Sequence, residues 1–209
     1  GGNPLSGIPL NFSVISGGGI LDSPASPDGN VHVEAESGTL TSPMAAANDT
    51  AAAGGRYIVS GVGAGKATYV INVPQAGSYR VWGRIIALDG NSDSFFFKVD
   101  NGTQIYWDVP NPAPSWTWDL VNQTTPTPVQ DPKIFSLSAG NHTITIDARD
   151  PGTKLDKLIF TTDTNFTPNG KEEIGYTTNA SGETQAYLTL GPSVGANTVQ
   201  ASYGAITPV

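Results

Sequence analysis

The sequence predicts an all-β protein built from β-sandwiches, and three observations support this prediction. The chain of 209 residues contains 25 glycines and 16 prolines, which interrupt helices and mark turns between strands. Short runs rich in Val, Ile, Thr, Tyr, Phe and Trp recur between these turns, as in sandwiches. Only 13% of the residues are charged, so Thr, Ser, Asn and Gln must form much of the surface.

The strands are predicted from the amino-terminal end onward. Ile8, Leu10, Phe12 and Val14 alternate with prolines and polar residues, which is the period of two of a half-buried strand. Residues 23–29 (SPASPDG) have the composition of a linker. Further strands are predicted at residues 31–35, 56–59, 67–73, 78–86, 94–100, 104–109, 116–121, 133–137, 142–148 and 154–161. So many short strands in one segment favour a β-sandwich.

The composition excludes several classes of partner and chemistry. The net charge of −8 argues against a nucleic-acid partner, whose phosphates need a basic face. No apolar run approaches the ~20 residues of a membrane span. The absence of cysteine excludes disulfides, a thiol nucleophile and a cysteine-based zinc site. The low-charge, Thr- and Asn-rich surface predicts a secreted or extracellular cell-surface protein, and we expect the chain to be part of a larger multidomain protein.

Two glutamates open the segment after the linker. In VHVEAE (residues 31–36), Glu34 and Glu36 are two residues apart, so on a strand they project from one face with Cα atoms about 6.5–7 Å apart. Two adjacent carboxylates repel unless they are solvated or bridged by a cation, and Ca²⁺ takes six to eight oxygen ligands. The pair therefore predicts either a hard divalent cation site or a wet polar face on an edge strand.

Residues 31–163 resemble the β-sandwich carbohydrate-binding modules of families 6 and 35. The matching pieces occur in the order of that family and cover nearly the whole segment. They are VEAESGTL, AGGRYIVSG (53–61), PQAGSYRVWGRI (74–85), NSDSFFFKVDNG (91–102), SWTWDLV (115–121), FSLSAGNHTITI (135–146) and GTKLDKLIFTTD (152–163). The resemblance implies a jelly-roll-like β-sandwich that binds carbohydrate without catalysis.

The resemblance also implies a structural calcium ion. In that family, the paired glutamates of the first strand, an aspartate of the last strand and nearby backbone carbonyls hold this ion. The corresponding ligands here are Glu34, Glu36 and Asp156, with carbonyls from residues 50–55. An ion in this position would join the first and last strands of the module and so fix its two ends close together.

The resemblance further implies a site for a polysaccharide or oligosaccharide, either at the loops on one edge of the sandwich or on a concave sheet face. Aromatic rings would stack on the sugar, and a few polar groups would orient it. The aromatic candidates are Tyr57, Trp116 and Trp118, and the polar candidates are Arg84, Asp93 and Lys154. Each ring is alternatively a core residue, and Trp107 fits either surface.

The two ends of the chain resemble consecutive parts of one bacterial Ig-like domain. The first part is PLSGIPLNFSV (4–14) followed by the glycines 17–19, and the second is TTNASGE (177–183), AYLTLGP (186–192) and GANTVQA (195–201). The resemblance implies a split Ig-like β-sandwich, residues 1–27 and 167–209, with the carbohydrate-binding module, residues 28–166, inserted between them. We expect function to lie in the insert.

Three hypotheses for function follow. The leading one is non-catalytic carbohydrate binding by a calcium-stabilised module carried on an Ig-like domain. The second is a structural spacer or adhesin segment without sugar binding. The third is a glycoside hydrolase, because Glu34 and Glu36 lie within the 5–9.5 Å separation that paired catalytic carboxyls require, although a cation explains this pair better. We therefore predict that the protein is not an enzyme.

Overall fold

The computed structural model describes residues 29–172 in full and, in the flanking regions, the backbone of strands within residues 9–22 and 176–202. The chain divides into two compact units. One consists of Gly1–Ser26 and Glu173–Val209, and the other is Pro27–Glu172. The second unit extends six residues beyond the boundary expected from the sequence.

Among the described residues, the regular elements are strands, apart from two short 3₁₀ turns at Ala35–Ser37 and Ala53–Gly55. In chain order the strands are β1 (Pro9–Ser16), β2 (Ile20–Asp22), β3 (Val31–Glu34), β4 (Thr39–Thr41), β5 (Ala45–Asn48), β6 (Arg56–Val59), β7 (Lys66–Val73), β8 (Gly77–Ala87), β9 (Ser94–Val99), β10 (Ile105–Asp108), β11 (Ala113–Leu120), β12 (Phe135–Leu137), β13 (Gly140–Ala148), β14 (Lys154–Thr161), β15 (Tyr176–Thr177), β16 (Tyr187–Thr189) and β17 (Thr198–Ser202). The described part of the chain has no helix with the length and apolar character that a membrane crossing needs.

Two antiparallel sheets form the unit of residues 27–172. One sheet has the order β10-β9-β13-β7-β4. The other has the order β11-β8-β14-β6-β5, and in addition β12 pairs with β8 and β3 pairs with β14. The prediction of an all-β sandwich is confirmed.

The core lies between these sheets, and it follows from alternation along the strands. In β7, Ala67, Tyr69, Ile71 and Val73 are buried while the residues between them are partly or fully exposed. Trp107 of β10 is fully buried, and a Cβ atom on Gly83 of β8 would lie 2.1 Å from its ring. The two sheets can approach at this point because residue 83 has no side chain.

The segment after β14, residues 163–172, lies across part of the sheet that contains β8, β11 and β14; we call it the covering segment. The Arg80 guanidinium donates to the Thr164 carbonyl oxygen at 3.1 Å, and the Trp118 indole donates to the Gly170 carbonyl oxygen at 3.0 Å. The buried Lys157 ammonium donates to the carbonyl oxygen of Glu172. From its sequence, the segment of residues 164–171 is predicted to be a linker. The structure instead attaches it to the sheet through backbone carbonyls, which have no sequence signature.

In the other unit, the two ends of the chain pair with each other. β1 is antiparallel to β17, with Phe12 opposite Ala201, and to β15, with Pro9 opposite Thr177. β2 is antiparallel to β16. The amino- and carboxyl-terminal segments therefore share sheets. The Ig-like identity of this unit stays a prediction, and several of its motif residues, including those at 4–8 and 17–19, lie outside the described residues.

Most predicted strands are present, two of them with the same bounds (56–59 and 154–161). One local prediction is wrong: strand β3 ends at Glu34, and Glu36 lies in the following 3₁₀ turn. The two carboxylates therefore do not share a strand face. Two short strands, β4 and β5, were not predicted. TLT is only three residues long, and AAAN contains no β-branched or aromatic residue.

Candidate functional site

Four of the six residues predicted to bind carbohydrate lie together, on the sheet that contains β8 and β14. The Tyr57 and Trp116 rings, both half-buried, meet edge to face with centroids 5.4 Å apart. The Arg84 guanidinium carbon is 5.4 Å from the Trp116 ring centroid. The Lys154 ammonium nitrogen is 5.0 Å from the Tyr57 ring centroid. These four residues are called the ring cluster below.

Strand register explains why these side chains converge. Leu155 of β14 pairs with Ile85 of β8 and with Ile58 of β6, and all three are fully buried in the core. Because successive side chains on a strand point to opposite faces, the residue before each of them points away from the core. Those residues are Tyr57, Arg84 and Lys154.

Trp116 is held by a loop on the neighbouring edge. Its indole N–H donates to the Asp49 carboxylate at 3.0 Å. The same carboxylate accepts from the Ala51 backbone N–H at 2.8 Å, and these two hydrogen bonds, the backbone one first, lower the pKa of Asp49. Asp49 thus stays ionised and fixes the indole orientation. The loop of residues 49–55, which connects β5 to β6, is called the 49–55 loop.

Arg84 links the ring cluster to a buried carboxylate. It is 7% exposed, and its Nη1 lies 2.5 Å from Asp156 Oδ2 and 3.1 Å from the Ala51 carbonyl oxygen. Asp156 is fully buried and lies where the register between β14 and β8 shifts by one residue. Such a bulge re-aims a side chain. The Ala53 backbone N–H also donates to both Asp156 oxygens, at 3.0 and 3.1 Å.

The carboxylates of Glu34 and Glu36 both lie next to Gly54 of the 49–55 loop. A Cβ atom on Gly54, whose φ is +58°, would lie 3.3 Å from Glu36 Oε1 and 4.0 Å from Glu34 Oε2. Glu34 Oε1 accepts from the buried Lys157 ammonium at 2.7 Å. Glycine is favoured at residue 54 because the backbone there is left-handed.

Glu36 is the carboxylate whose surroundings best fit a cation. Its Oε2 is buried and has no hydrogen-bond donor. Burial, with the neighbouring charges of Glu34 and Asp156, raises the pKa of Glu36 to about 7. A calcium ion takes carboxylate and carbonyl oxygens, which are the donors present here, so the residues fit this ion. Within residues 29–172, however, no three acidic or histidine side chains are arranged as a ready set of metal ligands, because Asp156 faces Arg84 and Ala53.

The remaining predicted residues lie elsewhere. Trp118 pairs with Arg84 across β11 and β8, but its indole N–H donates to Gly170 of the covering segment. Asp93 accepts from the Asn111 amide at 2.5 Å, and burial, followed by the charge of Asp150, raises its pKa. Neither contributes to the contacts of the ring cluster. Trp107, which the sequence left open, is a core residue.

Sequence reasoning missed the side chains and backbone groups that orient the cluster. Asp49 binds the Trp116 indole, and Lys157 binds Glu34. Asp49 carries one detectable signal, because Asp commonly caps a backbone N–H two residues ahead in a turn. Lys157 carries none, since a lysine within a strand is more often solvent-exposed than buried.

Comparisons with known proteins support the fold. No protein-family model and no curated protein matches the chain. Among solved structures, a family 35 carbohydrate-binding module from Clostridium thermocellum is 21% identical, with a TM-score of 0.50, over 62% of this chain and 97% of that chain. A β-(1,4)-mannanase of Podospora anserina with a family 35 module is 22% identical, with a TM-score of 0.53, over 68% of this chain.

An exo-β-1,3-galactanase of Phanerochaete chrysosporium is 20% identical, with a TM-score of 0.50, over 63% of this chain. The match spans only 29% of the mannanase and 29% of the galactanase. At these identities the likeness is one of fold, and the fold is that of the carbohydrate-binding modules.

Proposed function

We propose that residues 27–172 bind a polysaccharide or oligosaccharide through the ring cluster, without catalysis. The observation that carries this proposal is the half-buried pair of Tyr57 and Trp116, flanked by two cationic side chains on a carbohydrate-binding-module fold. A large aromatic face with a few fixed polar groups is the usual composition of a small-ligand site. We also propose that the protein is secreted or displayed on a bacterial cell surface.

The chemistry assigns a different task to each member. The Trp116 ring, oriented by Asp49, offers an apolar face to the C–H groups of a pyranose. Lys154 is partly exposed and supplies N–H donors for sugar oxygens. Arg84 is buried. Its guanidinium packs against the Trp116 ring and holds the ring in place. A site of this size is expected to bind with a Kd between about micromolar and millimolar, or −8 to −4 kcal/mol.

A binding screen followed by one ring substitution tests this proposal. The full chain is screened on an array of neutral and acidic glycans, and the strongest ligand is titrated by calorimetry. Trp116→Ala should weaken binding at least tenfold, because loss of about 1.4 kcal/mol of stacking suffices for that factor. A melting curve of the variant checks that the fold is retained.

Tyr106→Ala is the matched comparison. Tyr106 also forms an edge-to-face ring pair, with Phe96, and has a guanidinium 4.9 Å from its centroid, but it lies on the other sheet. Binding should survive this substitution. Loss of binding in Tyr106→Ala alone would locate the site on that sheet face, and failure to bind any glycan would favour the spacer or adhesin alternative.

We further propose that a calcium ion binds at Glu34 and Glu36. The support is the buried Glu36 oxygen, which has no donor, and the close approach of the Gly54 backbone to both carboxylates. Glu34, Glu36 and carbonyl oxygens of the 49–55 loop would hold the ion, and Asp156, which keeps an unused lone-pair site, would contribute one more oxygen. Bound calcium would supply positive charge to the Glu36 carboxylate, whose neighbour Glu34 is already paired with Lys157.

Glu36→Gln tests the calcium proposal. Without calcium at pH 8, the variant should be at least as stable as the parent, because it removes a buried carboxylate that resists ionisation. With calcium, the parent should gain stability by RT ln(1 + [L]/Kd), and the variant should gain much less. Asp163→Asn, at an exposed turn, should respond to calcium like the parent. An unchanged parent melting temperature in calcium would contradict the proposal.

We propose, finally, that the unit of residues 1–26 and 173–209 is a bacterial Ig-like carrier within a larger multidomain protein. The pairing of β1 with β15 and β17 supports it, because the motif halves share sheets. An experimental structure of the full chain, in which this unit has or lacks the Ig-like strand order, would decide it.

A further inference from the structure

We propose that the 49–55 loop couples the cation site to the ring cluster, so that a cation and a carbohydrate bind cooperatively. This inference rests on the proposed function. The loop touches both places. Toward the rings, Asp49 accepts from the Trp116 indole and the Ala51 carbonyl accepts from Arg84. Toward the carboxylates, Ala53 donates to Asp156, and Gly54 lies beside Glu36 and Glu34.

The loop is closed on itself, so a shift at one side is carried to the other. The Asp49 N–H donates to the Gly55 carbonyl at 3.0 Å, and the Ala52 N–H donates to the Asp49 carbonyl at 3.0 Å. The Asp49 carboxylate adds its bond to the Ala51 N–H. Seven residues with this many internal hydrogen bonds move together. Fixing Gly54 therefore fixes Asp49, the group that orients Trp116.

Arg84 provides a second route between the sites. Its Nη1 is bound by Asp156, and its Nε is buried without a partner. A cation that takes an oxygen of Asp156 competes with Arg84 for that carboxylate. The guanidinium then interacts less with Asp156 and more strongly with the Trp116 ring, whose centroid is 5.4 Å away. One carboxylate is thus shared by the cation site and the carbohydrate site.

The sign of the coupling is favourable. Cation binding orders the loop before the sugar arrives, and a pre-ordered site loses less entropy on binding. By thermodynamic linkage, the sugar must raise cation affinity by the same factor. Coupling of the usual size would change each Kd by about 5- to 150-fold.

Calorimetry on the full 209-residue chain measures both effects: that of calcium on the glycan Kd and that of the glycan on the calcium Kd. The glycan selected by the array is titrated with calcium chloride or with chelator present, and calcium is titrated with and without that glycan. Both Kd values should fall by one common factor of at least fivefold. If each Kd stays within twofold, or if calcium does not bind, the proposal is overturned.

Asp49→Ala separates coupling from either binding event. It removes the link to Trp116 and one internal bond of the loop, so the coupling factor should fall to near one even where the calcium Kd measured without sugar is itself weakened. Asp89→Ala removes the same kind of turn bond, to the Asn91 N–H at 2.9 Å, and should leave the coupling factor unchanged. A coupling factor that survives Asp49→Ala would contradict the assigned route.

A readout without sugar separates this proposal from the proposed function. If no glycan binds, the proposed function fails, and the coupling is judged from tryptophan fluorescence during calcium titration. The parent should show a calcium-dependent change that is lost in Trp116→Phe and in Asp49→Ala. A parent signal that does not respond to calcium, or a response retained in both variants, would overturn the coupling.

Discussion

At the residue scale, several charged groups of this protein owe their properties to burial. Lys157 and Asp156 are fully buried, and each has an oppositely charged partner, Glu34 and Arg84 respectively. Removing one partner of such a pair leaves an uncompensated buried charge, which is strongly destabilising. The sequence shows these residues as ordinary polar positions in strands, because burial depends on which strand or segment covers them.

Asp119 offers a test of this kind of burial. It accepts from the Trp107 indole at 2.8 Å, and burial raises its pKa from 3.8 to about 6. Because the folded state binds this proton more tightly than the unfolded state, the group stabilises the fold more as pH falls from above 6 toward 4. Below the pKa of Asp119 in the unfolded state, 3.8, stability gains nothing further from this group.

Asp119→Asn keeps an oxygen acceptor for Trp107 and removes the titration. The stability difference between parent and variant should therefore change by about 1–3 kcal/mol between pH 7.5 and pH 4.5, since one pKa unit is about 1.4 kcal/mol. Urea denaturation across this pH range measures it, with Asp163→Asn as a control at an exposed turn. A pH-independent difference would contradict the assigned burial.

At the element scale, the two sheets meet where β8 passes beneath Trp107. A Cβ atom at residue 83 would lie 2.1 and 2.7 Å from two carbons of the indole ring. Gly83→Ala should therefore destabilise the protein by about 1–3 kcal/mol or more through overpacking. Gly61 has open space around its missing Cβ, so Gly61→Ala should change stability little. Thermal melts of both variants give the comparison.

A double variant identifies the contact responsible. Trp107→Phe removes the ring atoms that a residue 83 methyl group would meet, so its effect combined with Gly83→Ala should be smaller than the sum of the two single effects. Residues in contact show such non-additivity, whereas distant residues do not. Additive effects would mean that Gly83 is needed for another reason.

The same elements show what the sequence could predict. Strands β6 and β14 were predicted with their bounds because apolar and aromatic runs bounded by turn residues are strong local signals. The turn at Ala35–Ser37 was missed because nothing in VHVEAES interrupts a strand pattern. The partners of Trp116 and Trp118, at Asp49 and Gly170, are 67 and 52 residues away. Such contacts arise from tertiary packing and leave no local pattern.

At the scale of the whole molecule, the covering segment decides where the unit of residues 27–172 ends. A fragment of residues 27–172 should unfold cooperatively and more stably than a fragment of residues 27–166, the end that the sequence suggests. The shorter fragment removes Gly170 and Glu172, which accept from Trp118 and the buried Lys157. Removing this acceptor from the buried Lys157 ammonium, or exposing the ammonium to water, should lower the free energy of unfolding by several kcal/mol. Equal melting temperatures of the two fragments would contradict this expectation.

The covering segment also sets how far apart the two ends of the unit of residues 27–172 lie. Val31, where β3 begins, lies opposite Phe160, whereas Glu34, where it ends, lies opposite Lys157. The covering segment brings the exit of the chain back to Lys157. Entry and exit therefore lie at opposite ends of the β3–β14 pair, about 10 Å apart along the strands. Termini this close together can be joined by a short linker, so a circular permutant of residues 27–172 that opens at an exposed turn should fold.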